Sequence, residues 1–230
     1  MAHAGYTKGR SAEDLHAIAT EGLEVIEPKV RHLGVALGLE TTGTERAFGT
    51  LGDIALIAGE FGFVRPVVDW AHVHAMSGGG LTTVEAFESV IAFLRSQFAG
   101  WAVDPLHCQF TDNQFGPKGE IKHVPYGEGS LRVGPLVDAA VASGLRMTLI
   151  SEAHDAASHE AIFAEVTGTL AVARPEPVAA DSRPVSSGAV TFPDSLRGTV
   201  DGSAFVPAGT ERPLRLSNVD KVFFPDGYTK

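Results

Sequence analysis

One cysteine stands in 230 residues, so an intrachain disulfide cannot form and a thiolate-rich metal site is excluded. That scarcity fits a reducing compartment, and Cys108, set inside an apolar run, reads as a core residue. Neither a basic stretch followed by an apolar leader segment nor an apolar run of about 18 residues is found. A soluble cytoplasmic chain without a membrane partner is therefore expected. Positive charge is also short, with 18 Lys and Arg against 28 Asp and Glu and a net charge of −10. Because nonspecific nucleic-acid affinity comes mainly from Lys and Arg neutralising phosphates, this balance weakens a DNA-binding reading. Carboxylates committed to cations would offset part of the charge, and Lys118, Lys122 and Arg132 can form a local basic patch. A Gly-x-Ser-x-Gly elbow is missing, and nothing beside Cys108 marks it as a nucleophile, so covalent catalysis is unsupported. Ser77-Gly-Gly-Gly80 lacks the Lys of a phosphate-binding loop and reads as a flexible loop.

What is present is a hydrophobic content of 44%, enough at this length for one sizeable core plus something small. Strand and helix patterns alternate, which predicts a βα-repeat fold. Ser11-x-x-Asp14 opens a helix carrying Leu15, Ile18, Leu23 and Ile26, and a second helix spans about residues 51 to 61. Thr82-x-x-Glu85 reads as a capping box for an amphipathic helix bearing Phe87, Val90, Ile91, Leu94 and Phe98. A loop rich in Gly, Pro and Asn, containing His123, is expected up to Gly129; a helix from Leu131 to Ser143 then ends at Gly144. A strand from Arg146 to Glu152 and a helix over about residues 155 to 166 follow. Past about Ala171 the periodicity gives way to a Pro, Ala and Ser composition that reads as a linker. The expected organisation is a domain over 1–170, a linker over 171–212 and a short tail over 213–230.

The candidate chemistry gathers at strand ends. Pro66 to Val68 reads as a buried strand ending in Asp69, with His72 and His74 just beyond. Gly34 to Glu40, Pro105 to Asp112 and Arg146 to Glu152 repeat the pattern, each placing a carboxylate, a His or both near the C-terminal end. Parallel strands point one way, so Glu40, Asp69, His72, His107 and Glu152 are expected to meet on one face, where α/β proteins keep their chemistry. A solvated polar group is the ordinary role of any one such residue; recurrence on four strands points to a site. His3 falls at a further strand end, whereas His16, His32, His154 and His159 read as surface residues. Imidazole and carboxylate together suit Zn²⁺, Mn²⁺ or Fe²⁺, and clustered carboxylates repel unless cations lie between them. Two ions would suit hydrolysis of a phosphodiester, and one or two would equally suit a sugar carbonyl and hydroxyl.

The ordered set HAGY, ET-G around Glu40, FGTL, VVDWAH, LHCQFTDN, KHVPYGEG and LISE resembles the endonuclease IV family of xylose isomerase-like TIM barrels over residues 1–170. The fold this implies is a partial TIM barrel, matched from about two βα units into the family barrel. The implied activity is zinc-dependent hydrolysis of the phosphodiester at abasic sites in DNA. Residue by residue, the resemblance puts His3, Glu40, Asp69, His72, His107, His123 and Glu152 on metal-ligand positions, for two or three Zn²⁺ or alternatively Mn²⁺. Glu40 would bridge ions; Asp69, His107 and Glu152 would hold one, and His72 with His123 another, with Glu40 and Glu152 as the catalytic carboxylates. Ile121 stands where the family has an Asp, and Glu120 is the available substitute. His74 has no family counterpart. The tail RLSNVDKVFFPDGYTK resembles the opening of the primase-like polymerase domain of bacterial end-joining DNA ligases. Damaged DNA, an end-joining ligase or polymerase as partner or fused domain, and a second chain closing the barrel are the partners these resemblances imply. A sugar isomerase or epimerase and a non-catalytic docking module are the rival readings.

Overall fold

The computed structural model describes residues 1–173, 198–201, 204–207 and 214–215. The chain divides into two compact units, Met1–Pro177 and Val178–Lys230. The first opens with β1 (Ala2–His3), α1 (Ala12–Val30), β2 (Leu37–Glu40), α2 (Leu51–Glu60), β3 (Val64–Asp69) and α3 (Trp70–Met76). It continues through α4 (Val84–Gln97), α5 (Gly100–Val103), β4 (Leu106–Phe110), β5 (Asp112–Gly116), β6 (Gly119–Val124), α6 (Val133–Ser143), β7 (Met147–Ser151) and α7 (Ala156–Ala173).

Strands β1, β2, β3, β4 and β7 form one five-stranded parallel sheet in that order. The spatial order follows the chain order, as in a singly wound barrel; a doubly wound sheet would reverse direction partway. Right-handed crossovers then put the connecting helices on one face. The described sheet is an arc of such a barrel. Trp70, Phe87, Ile91, Leu94, Leu106, Phe110 and Leu136 are buried in its core, with Trp70 edge-on to Phe87 at 5.3 Å between ring centroids. Cys108 lies in the same core, as its apolar neighbours require. Among the described residues no helix is long and apolar enough to cross a membrane.

Local chemistry explains the helix starts. Ser11 and Asp14 make a reciprocal capping box on α1, as do Thr50 and Asp53 on α2, so orphan N–H groups at each first turn are bonded. The α4 start differs from expectation: Thr83 caps it, accepting from the Ala86 N–H at 3.3 Å, and no Thr82–Glu85 box forms. Adjacent threonines offer the same hydroxyl, and backbone geometry chooses the second.

The larger departure is in the stretch expected to be a loop. Residues 112–124 form the antiparallel hairpin β5–β6, with a register irregularity at Gln114 and Phe115. Gly119, at φ +97°, crosses the loop after β2 so closely that a Cβ there would lie 2.1 Å from the Gly43 carbonyl oxygen. The Glu120 N–H donates to that oxygen at 2.7 Å. Gly43 in turn leaves room for His72, whose ring would meet a Cβ at 2.5 Å. The hairpin is thereby pinned over the ends of β2 and β3.

The loop after the hairpin is held by Asp112, fully buried. Its carboxylate accepts from the N–H groups of Gly127 at 3.0 Å, Gly129 at 2.9 Å and Leu131 at 3.2 Å, and from Arg132 Nη1 at 3.0 Å. Arg132 is thus committed to the fold and withdrawn from any basic patch.

In the second unit β8 (Gly198–Asp201) pairs antiparallel with β9 (Ala204–Pro207), and β9 with β10 (Leu214–Arg215). β8 and β9 fall within the stretch expected to be a linker. α7 also runs three residues into that stretch, to Ala173; the other expected linker residues and the polymerase-like tail beyond Arg215 lie outside the described residues.

Replacing Asp112 by Ala strips the partner from several buried donors at once, and the expected loss of stability is about 3–5 kcal/mol. Chemical denaturation with circular dichroism measures it; a loss under about 1 kcal/mol, the scale of an ordinary surface contact, would contradict the assigned role.

Candidate metal centre

Three carboxylates stand at or just beyond neighbouring strand ends. Glu40, 4% exposed, ends β2 and Asp69, fully buried, ends β3. Glu152 follows β7, its N–H donating to the Phe110 carbonyl at 3.0 Å. Asp69 also caps α3: its Oδ1 accepts from the His72 N–H at 3.0 Å, whereas its buried Oδ2 has no hydrogen-bond partner. Register places His3 beside Glu40, with Nε2 3.7 Å from Oε2.

Among the described residues two groups have metal-binding geometry, Glu40–Asp69–His72 and His72–Glu120–His123, and they share His72. The short helix α3 carries His72 back over the strand ends. Nδ1 of His72 lies 3.6 Å from both Glu40 Oε1 and Asp69 Oδ2, and 2.8 Å from the Thr41 carbonyl oxygen. Only a protonated Nδ1 can donate to that carbonyl, which leaves Nε2 with the free lone pair, 3.7 Å from Glu120 Oε1. On the hairpin, His123 Nε2 is 3.4 Å from the same Glu120 oxygen. Asn113 donates to Glu120 Oε2 at 2.8 Å and to the Ala71 carbonyl at 2.8 Å, tying the hairpin's acid to α3. His123 Nδ1 is buried without a partner, and its ring lies 5.1 Å from that of the exposed His154.

Burial raises the Glu40 carboxyl above its ordinary range, with His3 opposing and Asp69 adding to the rise. Burial and the neighbouring Asp69 likewise raise Glu152. On His72 burial disfavours the charge, but the Glu120 hydrogen bond and the field of Asp69 outweigh it and lift the imidazole to about 9. His123 is raised by its hydrogen bond to Glu120. Burial works against ionising Glu120, yet bonds from His123, His72 and Asn113 hold it well below the usual carboxylate range. These are the marks of a site short of positive charge. Divalent cations fit the residues: they would pair the bare Asp69 Oδ2 and separate the carboxylates.

The structure therefore brings His3, Glu40, Asp69, His72, His123 and Glu152 to one region, with Glu120 among them. His107 is in neither group. It pairs in register with Val67 and Thr148, two residues before Gln109, and burial, with the fields of Arg65 and the chain's amino terminus, lowers its pKa. Gln109 takes the place next to Asp69 in register, and its amide donates to Glu152 Oε1. Sequence reasoning missed Gln109, Asn113 and Thr41. The signal for Gln109 was available: with Leu106, Cys108 and Phe110 on the apolar face, His107 and Gln109 share the other, and Gln109 is nearer the C-terminal end. His74, left unassigned, is a buried structural group: Nε2 lies 2.8 Å from Ser130 Oγ and Nδ1 accepts from the Leu81 N–H at 3.1 Å. His16, expected on the surface, is partly covered and pairs with Glu60 at 3.2 Å.

Beside the centre lies a cavity of about 270 Å³ lined by His3, Tyr6, Thr42, Gly43, Phe48 and His72 among others.

No protein-family model matches the chain. A curated relative, the uncharacterized protein MJ0133 of Methanocaldococcus jannaschii, is 24% identical over 139 residues, covering 60% of this chain and 50% of that protein. Among solved structures, a D-tagatose 3-epimerase-like protein superposes with a TM-score of 0.55 at 16% identity, over 75% of this chain and 61% of that one. A xylose isomerase domain protein from Alicyclobacillus acidocaldarius gives 0.51 at 16% identity, over 75% and 64%. The IOLI protein with a bound zinc atom gives 0.50 at 16% identity, over 74% and 59%. The chain thus spans about half the length of its curated relative and about three fifths of these structures. Its fold is that of the xylose isomerase-like TIM barrels, of which it presents a part.

Proposed function

We propose that this chain is a metal-dependent phosphodiester hydrolase module that acts on damaged DNA, of the endonuclease IV type. One observation carries the reading: two ligand groups adjoin and share His72, so that cations in both would lie side by side. When bound, such ions supply Lewis acidity and neutralise charge on a phosphodiester. The chain's own residues do the rest. Asp69 and Glu40 fix the centre from the barrel, and Glu120 with His123 reaches over it from the hairpin. Glu152, raised above the usual carboxylate range by burial and held by the Gln109 amide, is the carboxyl placed to act as acid or base of a hydrolysis. Lys118 at the hairpin turn and Lys122 on β6 supply cationic contacts for phosphates. The resemblance of the tail to end-joining enzymes supports a repair context.

The second reading, a sugar isomerase or epimerase, is favoured by the neighbouring cavity of about 270 Å³, which has the scale of a small-molecule site and not of a duplex. Its walls of Tyr6 and Phe48 would face the apolar side of a sugar ring.

Metal-loaded protein should cleave a duplex containing an abasic site, and Glu152→Ala should lose about 10²-fold or more in rate while remaining folded. Undiminished cleavage by Glu152→Ala removes the proposal. Turnover of ketoses or aldoses with an intact abasic duplex selects the second reading.

The pH dependence follows from His72. Its folded pKa, about 9, exceeds the ordinary 6.5, so the stability it contributes is complete below pH 6.5 and disappears as pH rises through 9. EDTA-treated protein should melt at progressively lower temperature across that interval, and His72→Ala should flatten the decline. A cation must displace the same proton, so affinity at the His72–Glu120–His123 group should rise with pH over that range, read by calorimetric titration.

A further inference from the structure

The two ligand groups do not offer the same chemistry, and two contacts separate them. His72 adjoins both groups, but its one free nitrogen is offered to only one of them. With Nδ1 donating to the Thr41 carbonyl, its free nitrogen faces Glu120 and His123, away from Glu40 and Asp69. The only imidazole left beside the barrel-side carboxylates is then that of His3, exposed at the sheet edge with Nε2 3.7 Å from Glu40 Oε2. What completes it is Gln109, 3% exposed, register partner of Asp69. One end of its amide donates to Glu152; the other, Oε1, is a buried acceptor with no hydrogen-bond partner. Asp69 Oδ2 is likewise buried and unpartnered. These two buried, unpartnered oxygens belong to register partners at adjacent strand ends, and a cation between the strands would satisfy both.

We propose that the centre holds two different cations: a hard one, of the Mn²⁺ or Mg²⁺ class, ligated by oxygens of Glu40, Asp69, Gln109 and Glu152, and a Zn²⁺-class ion held by His72, Glu120 and His123. Carboxylate and amide oxygens suit the first class, and a pair of imidazoles with one carboxylate suits the second. Gln109 is the residue that sets the difference. It adds an oxygen donor without adding negative charge and holds Glu152 in place. This assignment rests on reading the site as a metal centre, and it deepens that reading by naming which ion goes where.

The test uses the full chain, freed of metal and loaded with one equivalent of Mn²⁺, followed by electron paramagnetic resonance. The first equivalent of Zn²⁺ should release no Mn²⁺, because it fills the imidazole group, and only the second should compete. In His123→Ala the first equivalent should release Mn²⁺ at once. Gln109→His should weaken Mn²⁺ by about tenfold or more and bind a second Co²⁺ with the visible bands of a nitrogen-ligated site; Gln109→Glu, which keeps an all-oxygen set, should retain Mn²⁺. Circular dichroism confirms that each variant is folded. Release of Mn²⁺ by the first equivalent of Zn²⁺ from the unsubstituted chain, or unchanged Mn²⁺ affinity in Gln109→His, overturns the two-cation assignment and leaves the metal centre standing. Failure of the folded chain to bind either ion overturns the metal-centre reading itself.

Discussion

Mutual repulsion among carboxylates gathered at strand ends is the constraint from which the rest of this structure follows. Glu40, Asp69 and Glu152 are brought close because parallel strands end on one face, and a fold has no means of spreading them apart without giving up the register of the sheet. The protein answers with compensation. His3 approaches Glu40, the Gln109 amide binds Glu152, and the backbone of α3 satisfies one oxygen of Asp69. Each device removes part of the strain, and Asp69 Oδ2 remains bare.

The hairpin complements this economy of charge. Glu120 is an acid in the wrong company for a carboxylate-rich site, yet its own surroundings are two imidazoles and an amide donor, so it stays ionised where Glu40 and Glu152 resist ionisation. Like residues within one site are therefore shifted in opposite directions. That separation is what gives a cluster of acids more than one chemical role.

Much of this was legible. The run Pro66 to Val68 ending in Asp69 announced both a buried strand and the position of its carboxylate, and Ser11 with Asp14 announced α1. Glu40 and Glu152 were found by the same argument, since side chains at the ends of parallel strands converge whatever lies between them. Depth along a strand was legible only in part: alternation puts His107 and Gln109 on one face with Gln109 nearer the C-terminal end, and the register with β3 settles that Gln109 adjoins Asp69. The hairpin was not legible, because its pattern is broken at Gln114 and Phe115 and its polar residues face the centre in place of a core. The cap at Thr83 was ambiguous for a simpler reason, two equivalent hydroxyls in a row.

The crossing of Gly119 over Gly43 divides the centre between two mechanical bodies. Glu40, Asp69 and His72 are embedded in the barrel and cannot shift without disturbing the core; Glu120 and His123 ride on a two-stranded arm fastened at a glycine contact and by Asn113. Lengthening, replacing or deleting that arm would change Glu120 and His123 while Glu40, Asp69 and His72 kept their places. A lineage carrying this scaffold could thus vary half of the site by changing a single hairpin, with the barrel serving as the unchanging half.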